Sequence, residues 1–178
     1  MTSTPIKFAP LLVLLVWAAV VDLRQRRIPN WLTLLLIASG FARSFMVGGA
    51  VGPAGAVLGI FAGAAIPFML FAMGAMGGGD VKLMAGVGAW LGPWPALAVL
   101  VTEKIVGLAI VVAQAAWQGR LAALLGNSAV VAVNVLHIRE VGIDHVSGTG
   151  RSCRSVSRPL PFAVPALISV IIVLTRMH

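Results

Sequence analysis

Five acidic residues stand in a chain of 178, and two of them lie where a carboxylate is expensive. Asp22 closes the apolar run 8–21, and Asp80 closes the run 54–76 behind Gly77, Gly78 and Gly79. An ionisable group at the end of an apolar helix is costly in lipid and usually functional. The two are 58 positions apart, too far for a local pair, but antiparallel turns of a bundle can bring them face to face. Facing carboxyls are a hydrolytic arrangement. Like charges a few ångströms apart cannot both ionise, so one keeps its proton. The ionised partner draws a proton from water, while the protonated one hydrogen-bonds a scissile carbonyl and stabilises the developing oxyanion. Such a pair titrates jointly rather than residue by residue. The three glycines suit this chemistry: lacking side chains, they let a substrate backbone approach and let the chain unwind. A peptide must be extended to be cut, so an open backbone edge there is useful.

Plain structural readings stand beside these. Asp80 is a good helix N-cap for the segment 81–91, worth about 1 kcal/mol. Asp22 is spaced i,i+4 from Arg26, a pair worth a few tenths of a kcal/mol. Lys82 is either an interfacial lysine whose stem lies along apolar surface or a charge that tunes Asp80. Glu103 and Lys104 fall inside the apolar run 96–117, where they either pair with other groups or mark a helix end. Glu140 and Asp144 lie in a polar loop, and no carboxylate cluster accompanies His137 and His145, so no metal site is expected. Cys153 is the single cysteine, with neither a disulfide partner nor a CxxC spacing. Arg151 and Arg154 flank it, but an incidental loop thiol is the simpler account.

The elements that must position these residues are written in the composition. The chain is 60% hydrophobic and only 10% charged, with mean hydropathy +1.02. A soluble domain is about one quarter charged, so this chain needs the bilayer as its solvent. Six apolar runs are separated by breaks: the loop DLRQRRIPNW, the turn GGAVGPAG, the glycines before Asp80, the turn GPWP, and a mixed stretch over 118–159 whose start, 121–136, either lies along the interface or is a poor extra span. The run 81–91 is short for a span of about 20 residues and calls for tilt or shelter by neighbours. The expected fold is all-α, a polytopic transmembrane bundle of about six spans forming one domain over 1–178. The net charge of +8 follows the positive-inside rule rather than nucleic-acid binding. With the N-terminus outside, Arg24, Arg26, Arg27, Arg120, Arg139, Arg151, Arg154 and Arg158 fall in the cytoplasm, against Lys7, Arg43 and Arg176 on the other side. Asp22 and Asp80 then share the cytoplasmic edge. No long-period repeat suggests a solenoid or an inverted-repeat transporter.

Read together, these motifs resemble a known family. The stretch DLRQRRIPNWLT, Asp22 to Thr33, is similar to the first aspartate motif of the type IV prepilin peptidases. GGGDVKLMAGVGAWLG, Gly77 to Gly92, is similar to their second and carries the GxGD signature of presenilin-type intramembrane proteases. Order, spacing and length resemble the minimal branch that serves tight-adherence (Flp-type) pili. The late LPFAVPA, Leu160 to Ala166, resembles a terminal motif usually written Pro-Tyr-Gly; Phe162 and Ala163 stand in its place, and no site role is assigned there. The resemblance implies that Asp22 and Asp80 are catalytic; Gly77, Gly78, Gly79 and Lys82, from their own chemistry and position, are expected as supporting residues near the substrate. It also implies prepilin or pseudopilin substrates whose basic leader is cut at the cytoplasmic face of the bacterial inner membrane. Longer members carry a cysteine-rich insert and methylate the new N-terminus. This chain has no cysteine cluster, so methyl transfer is not expected, and neither is any cofactor or metal. The polar stretch 118–159 is either a dock for pilus-assembly machinery or a plain insertion. Two other readings use the same carboxyls: a small ion- or proton-coupled transporter, disfavoured because both aspartates sit at one edge, and an inactive assembly subunit, disfavoured by their intact pair.

Overall fold

The computed structural model describes residues 7–25, 27–46, 52–73, 76–119, 122 and 162–177. Arg26, the turn 48–51 and nearly all of 118–161 lie outside the described residues, and with them the readings made above on that stretch. The described chain is all-α, without strands: α1 (Ala9–Gln25), α2 (Asn30–Met46), α3 (Pro53–Ala72), α4 (Gly78–Leu91), α5 (Pro93–Trp117) and α6 (Ala163–Arg176). The breaks follow the sequence punctuation. Pro53 and Pro93 occupy the first helical position, where a missing amide hydrogen costs nothing. Between α4 and α5 stands Gly92 with φ of 82°, a left-handed value that an L side chain rarely adopts.

The short helix is the centre of the bundle. Every residue of α4 from Leu83 to Leu91 is buried, with α2, α3 and α5 packed around it. That shelter answers the expectation raised by its length. The α3–α4 contact is the closest. A Cβ added at Gly59 would run into the Gly88 carbonyl, and one at Gly88 into the Gly59 carbonyl, so the two backbones touch. Small residues at helix crossings allow such approach where lipid offers no hydrophobic drive. α1 packs on α6 and α2, and α6 leans on α5.

The outside is apolar. Val13, Trp17, Leu34, Phe61, Phe68, Met69, Ile105 and Leu108 are all large and exposed. A water-facing surface does not carry so many contiguous large apolar groups. α3 and α5 are the two helices long and apolar enough to cross a membrane. The others, of 14 to 17 residues, are shorter than an ordinary span of about 20.

At one end of the bundle Trp90 Nε1 donates to the Leu36 carbonyl at 3.1 Å and to Ser39 Oγ at 3.2 Å. The Arg43 guanidinium lies 4.8 Å from the Phe8 ring centre and 5.3 Å from that of Trp90. The opposite end of α4 holds Asp80.

Candidate functional site

Asp80 is in the first turn of α4, but not as its cap. Gly77 is the N-cap, with extended φ and ψ of −81° and 146°, and Gly78 and Gly79 are already helical. The expected N-cap role is therefore corrected: Asp80 is the third helical residue. Its Oδ2 accepts the Gly77 amide at 3.3 Å, reaching back to satisfy an amide that the helix leaves open. Two of the three glycines thus build helix instead of an unwound edge. A Cβ on Gly78 would touch Phe71 at 3.4 Å, and one on Gly79 would touch Ile28 at 3.5 Å, both ordinary contacts. The Ile28 approach lays the break after α1 against the start of α4. Lys82 joins the same two segments, its Nζ donating to Asn30 Oδ1 at 2.9 Å.

Asp22 lies in the last turn of α1 and is only 6% exposed. Its described partner is remote in sequence: the Ala163 amide, at the first position of α6, donates to Asp22 Oδ2 at 3.0 Å. Each aspartate thus holds a backbone amide at a helix N-terminus, where the helix dipole favours negative charge. Sequence reasoning gave 160–166 no site role. Pro165 in the first turn of α6 marks a helix start, and that is the signal from which an amide donor there could have been sought.

The two carboxyls are brought to the same end of the bundle. The charged groups whose fields act on Asp80 are Asp22, Glu103 and Lys104. All three described acidic residues therefore gather at this end. Among the described residues no three His, Cys, Asp or Glu side chains converge as a metal would require. Glu103, 3% exposed, is paired with its neighbour: Lys104 Nζ lies 3.0 Å from Oε2 and donates to Oε1 at 3.2 Å. The same ammonium stands 4.6 Å from the centre of the Phe162 ring. The alternatives left open for the Glu103–Lys104 dipeptide thus resolve to pairing within the helix. Lys82 spends its ammonium on Asn30, and the cation acting on Asp80 is Lys104. The arrangement is two carboxyls on separate helices, each anchored by one backbone amide, Asp80 being followed by Lys82 and preceded by Gly77, Gly78 and Gly79. A carboxyl so held is of the type that serves as an acid or a base.

Comparison with known proteins gives the family. The model of the type IV leader peptidase family matches residues 9–134, which include Asp22, the glycines and Asp80. The chain is 37% identical over 107 residues to a prepilin leader peptidase/N-methyltransferase of Aeromonas hydrophila, covering 53% of this chain and 36% of that protein. It is 37% identical over 119 residues to the protein of that name from Aeromonas salmonicida strain A449, covering 60% of this chain and 40% of the relative. The chain spans well under half the length of the curated relatives it matches. No solved structure matches. With the family match running through both aspartate-bearing helices and most of the chain, this protein belongs to the type IV leader peptidase family.

Proposed function

We propose that the chain is an intramembrane aspartyl endopeptidase that removes the short basic leader of a prepilin or pseudopilin, with Asp22 and Asp80 sharing a proton and activating the attacking water. One observation carries the reading: two carboxylates from different helices lie in each other's field at one end of the bundle, each held at a helix N-terminus. An amide bond to each carboxylate fixes its direction without neutralising it, as a positioned acid–base pair needs. The six helices cross the bacterial inner membrane with the N-terminus outside, so this end opens to the cytoplasm, where positive loop charges accumulate. The whole chain forms one membrane domain of the Flp-type branch. The proposal covers the peptidase half of the relatives' printed activities and not the methyl transfer.

The test is processing of a prepilin by the full chain in membranes. Asp22→Asn and Asp80→Asn should each leave the protein in the membrane while uncleaved prepilin accumulates. Cleavage at the wild-type rate by either variant would sink the mechanism.

A further inference from the structure

Neighbouring residues on a helix point about 100° apart and do not normally face each other. Lys104 nevertheless turns its ammonium back to Glu103, at 3.0 Å. The pair joins no second helix, and burying a carboxylate such as Glu103 disfavours the fold unless the geometry returns something. What Lys104 touches next explains its place. Its Nζ sits over the Phe162 ring at 4.6 Å. Phe162 is the N-cap of α6, and the next residue, Ala163, holds Asp22 through its amide. The charges of Glu103 and Lys104 both reach Asp80, in opposite senses. One side chain from α5 is thereby in contact with the segment that fixes one aspartate and in the field of the other. Its stem and head remain 38% exposed, so the ammonium is held by these contacts and not by enclosure.

We propose that Lys104, oriented by Glu103, is a positioning residue of the aspartate pair: it clamps Phe162, and through it the Ala163–Asp22 contact. This rests on the peptidase reading above. The clamp is cation–π attraction between ammonium and ring.

The experiment measures prepilin cleavage and thermal unfolding of the full chain in detergent or vesicles. Lys104→Met, which keeps the stem and removes the charge, should lower kcat about tenfold or more with KM little changed. Lys104→Arg should restore most of the rate, because a guanidinium also stacks on a ring and pairs with a carboxylate. Phe162→Leu should slow cleavage, and the double variant should be no slower than the slower single, as for two parts of one contact. If Lys104→Met fails to accumulate, the neutral, near-isosteric Glu103→Gln/Lys104→Gln pair carries the same expectations. A wild-type kcat for the uncharged variants, or Arg no better than Met, would overturn the proposal. So would zero coupling between Lys104 and Phe162 in unfolding temperature, which reads the contact with no substrate present. Wild-type cleavage measured alongside separates the two readings: its absence sinks the peptidase assignment, and its presence with unimpaired variants sinks only the role of Lys104.

Discussion

Asp22 and Ala163 lie 141 positions apart, yet the Ala163 amide donates to Asp22 Oδ2 at 3.0 Å in a buried setting. The bond ties the last turn of α1 to the first turn of α6. It gives Asp22 the same kind of partner that Gly77 gives Asp80, a backbone donor at the start of a helix, there in an exposed setting. Backbone donors are well suited to a catalytic carboxylate. The amide N–H is too weakly acidic to give its proton to the carboxylate, and it does not swing away as a side chain can. The Asp80 anchor is local, but the Asp22 anchor comes from the far end of the chain, so that contact exists only when the bundle has closed.

This contact separates two effects of changing Asp22. Asp22→Asn keeps an acceptor oxygen for the Ala163 amide and should unfold close to the wild-type temperature while losing cleavage. Asp22→Leu leaves the buried amide without a partner, which costs about 1–3 kcal/mol. It should lose cleavage and also unfold several degrees lower. Melting curves of the two purified variants check this, and equal unfolding temperatures would show that the amide bond contributes little to stability.

The glycines divide in the same way between fold and site. A Cβ on Gly59 would strike the Gly88 carbonyl, a backbone atom that cannot rotate aside. Gly59→Ala should therefore force α3 and α4 apart and destabilise by about 1–3 kcal/mol or more. Gly107, also in a helix, has nothing within 4 Å of such a Cβ. Gly107→Ala should be neutral or stabilising, by up to about 1 kcal/mol from helix propensity. Membrane yield and thermal unfolding of the pair make the comparison, and a Gly59→Ala protein as stable as wild type would contradict the packing.

Gly79 tests the approach to the aspartates. In the resting protein its Cβ would meet Ile28 at an ordinary 3.5 Å, so Gly79→Ala should fold and insert normally. If the glycines border the substrate backbone, the added methyl occupies that path. Gly79→Ala should then raise KM for prepilin severalfold, and Gly79→Val should abolish cleavage at unchanged protein level. Titration of substrate against each variant reads this directly, and wild-type kinetics for Gly79→Val would place the substrate elsewhere.

Much of this was legible in the sequence because punctuation was sharp. Pro, Gly and Asn breaks located the six helices of the described residues to within a few positions, and Asp22, Asp80 and the glycines before Asp80 stood out as charges and breaks among apolar runs. Asp80 is the third helical residue and not the cap because α4 begins at Gly78, against the helix-breaking tendency of glycine. Ala163 could not be read: any residue except proline carries the amide that Asp22 uses, so residue type holds no signal. Glu103 and Lys104 were visible but undecided, since Phe162 and Asp80 reach them only through tertiary packing.

The far end of α4 offers a control on the whole scheme. Arg43 lies between the rings of Phe8 and Trp90, at 4.8 and 5.3 Å, and donates weakly to the Trp90 carbonyl at 3.5 Å. Trp90 is ten residues along α4 from Asp80, or about 15 Å at 1.5 Å per residue. Arg43→Lys loses the flat stacking of a guanidinium on two rings, worth about 0.5–1 kcal/mol at each. It should lower the unfolding temperature by several degrees and leave kcat and KM per folded molecule unchanged. At that distance neither its charge nor its packing enters the chemistry. Lys104→Met, one contact away from Phe162, should show the reverse pattern, with a larger loss in kcat than in stability. The same unfolding and cleavage assays on both variants decide it, and a fall in kcat for Arg43→Lys equal to that for Lys104→Met would mean that general loosening of the bundle, not local positioning, controls the rate.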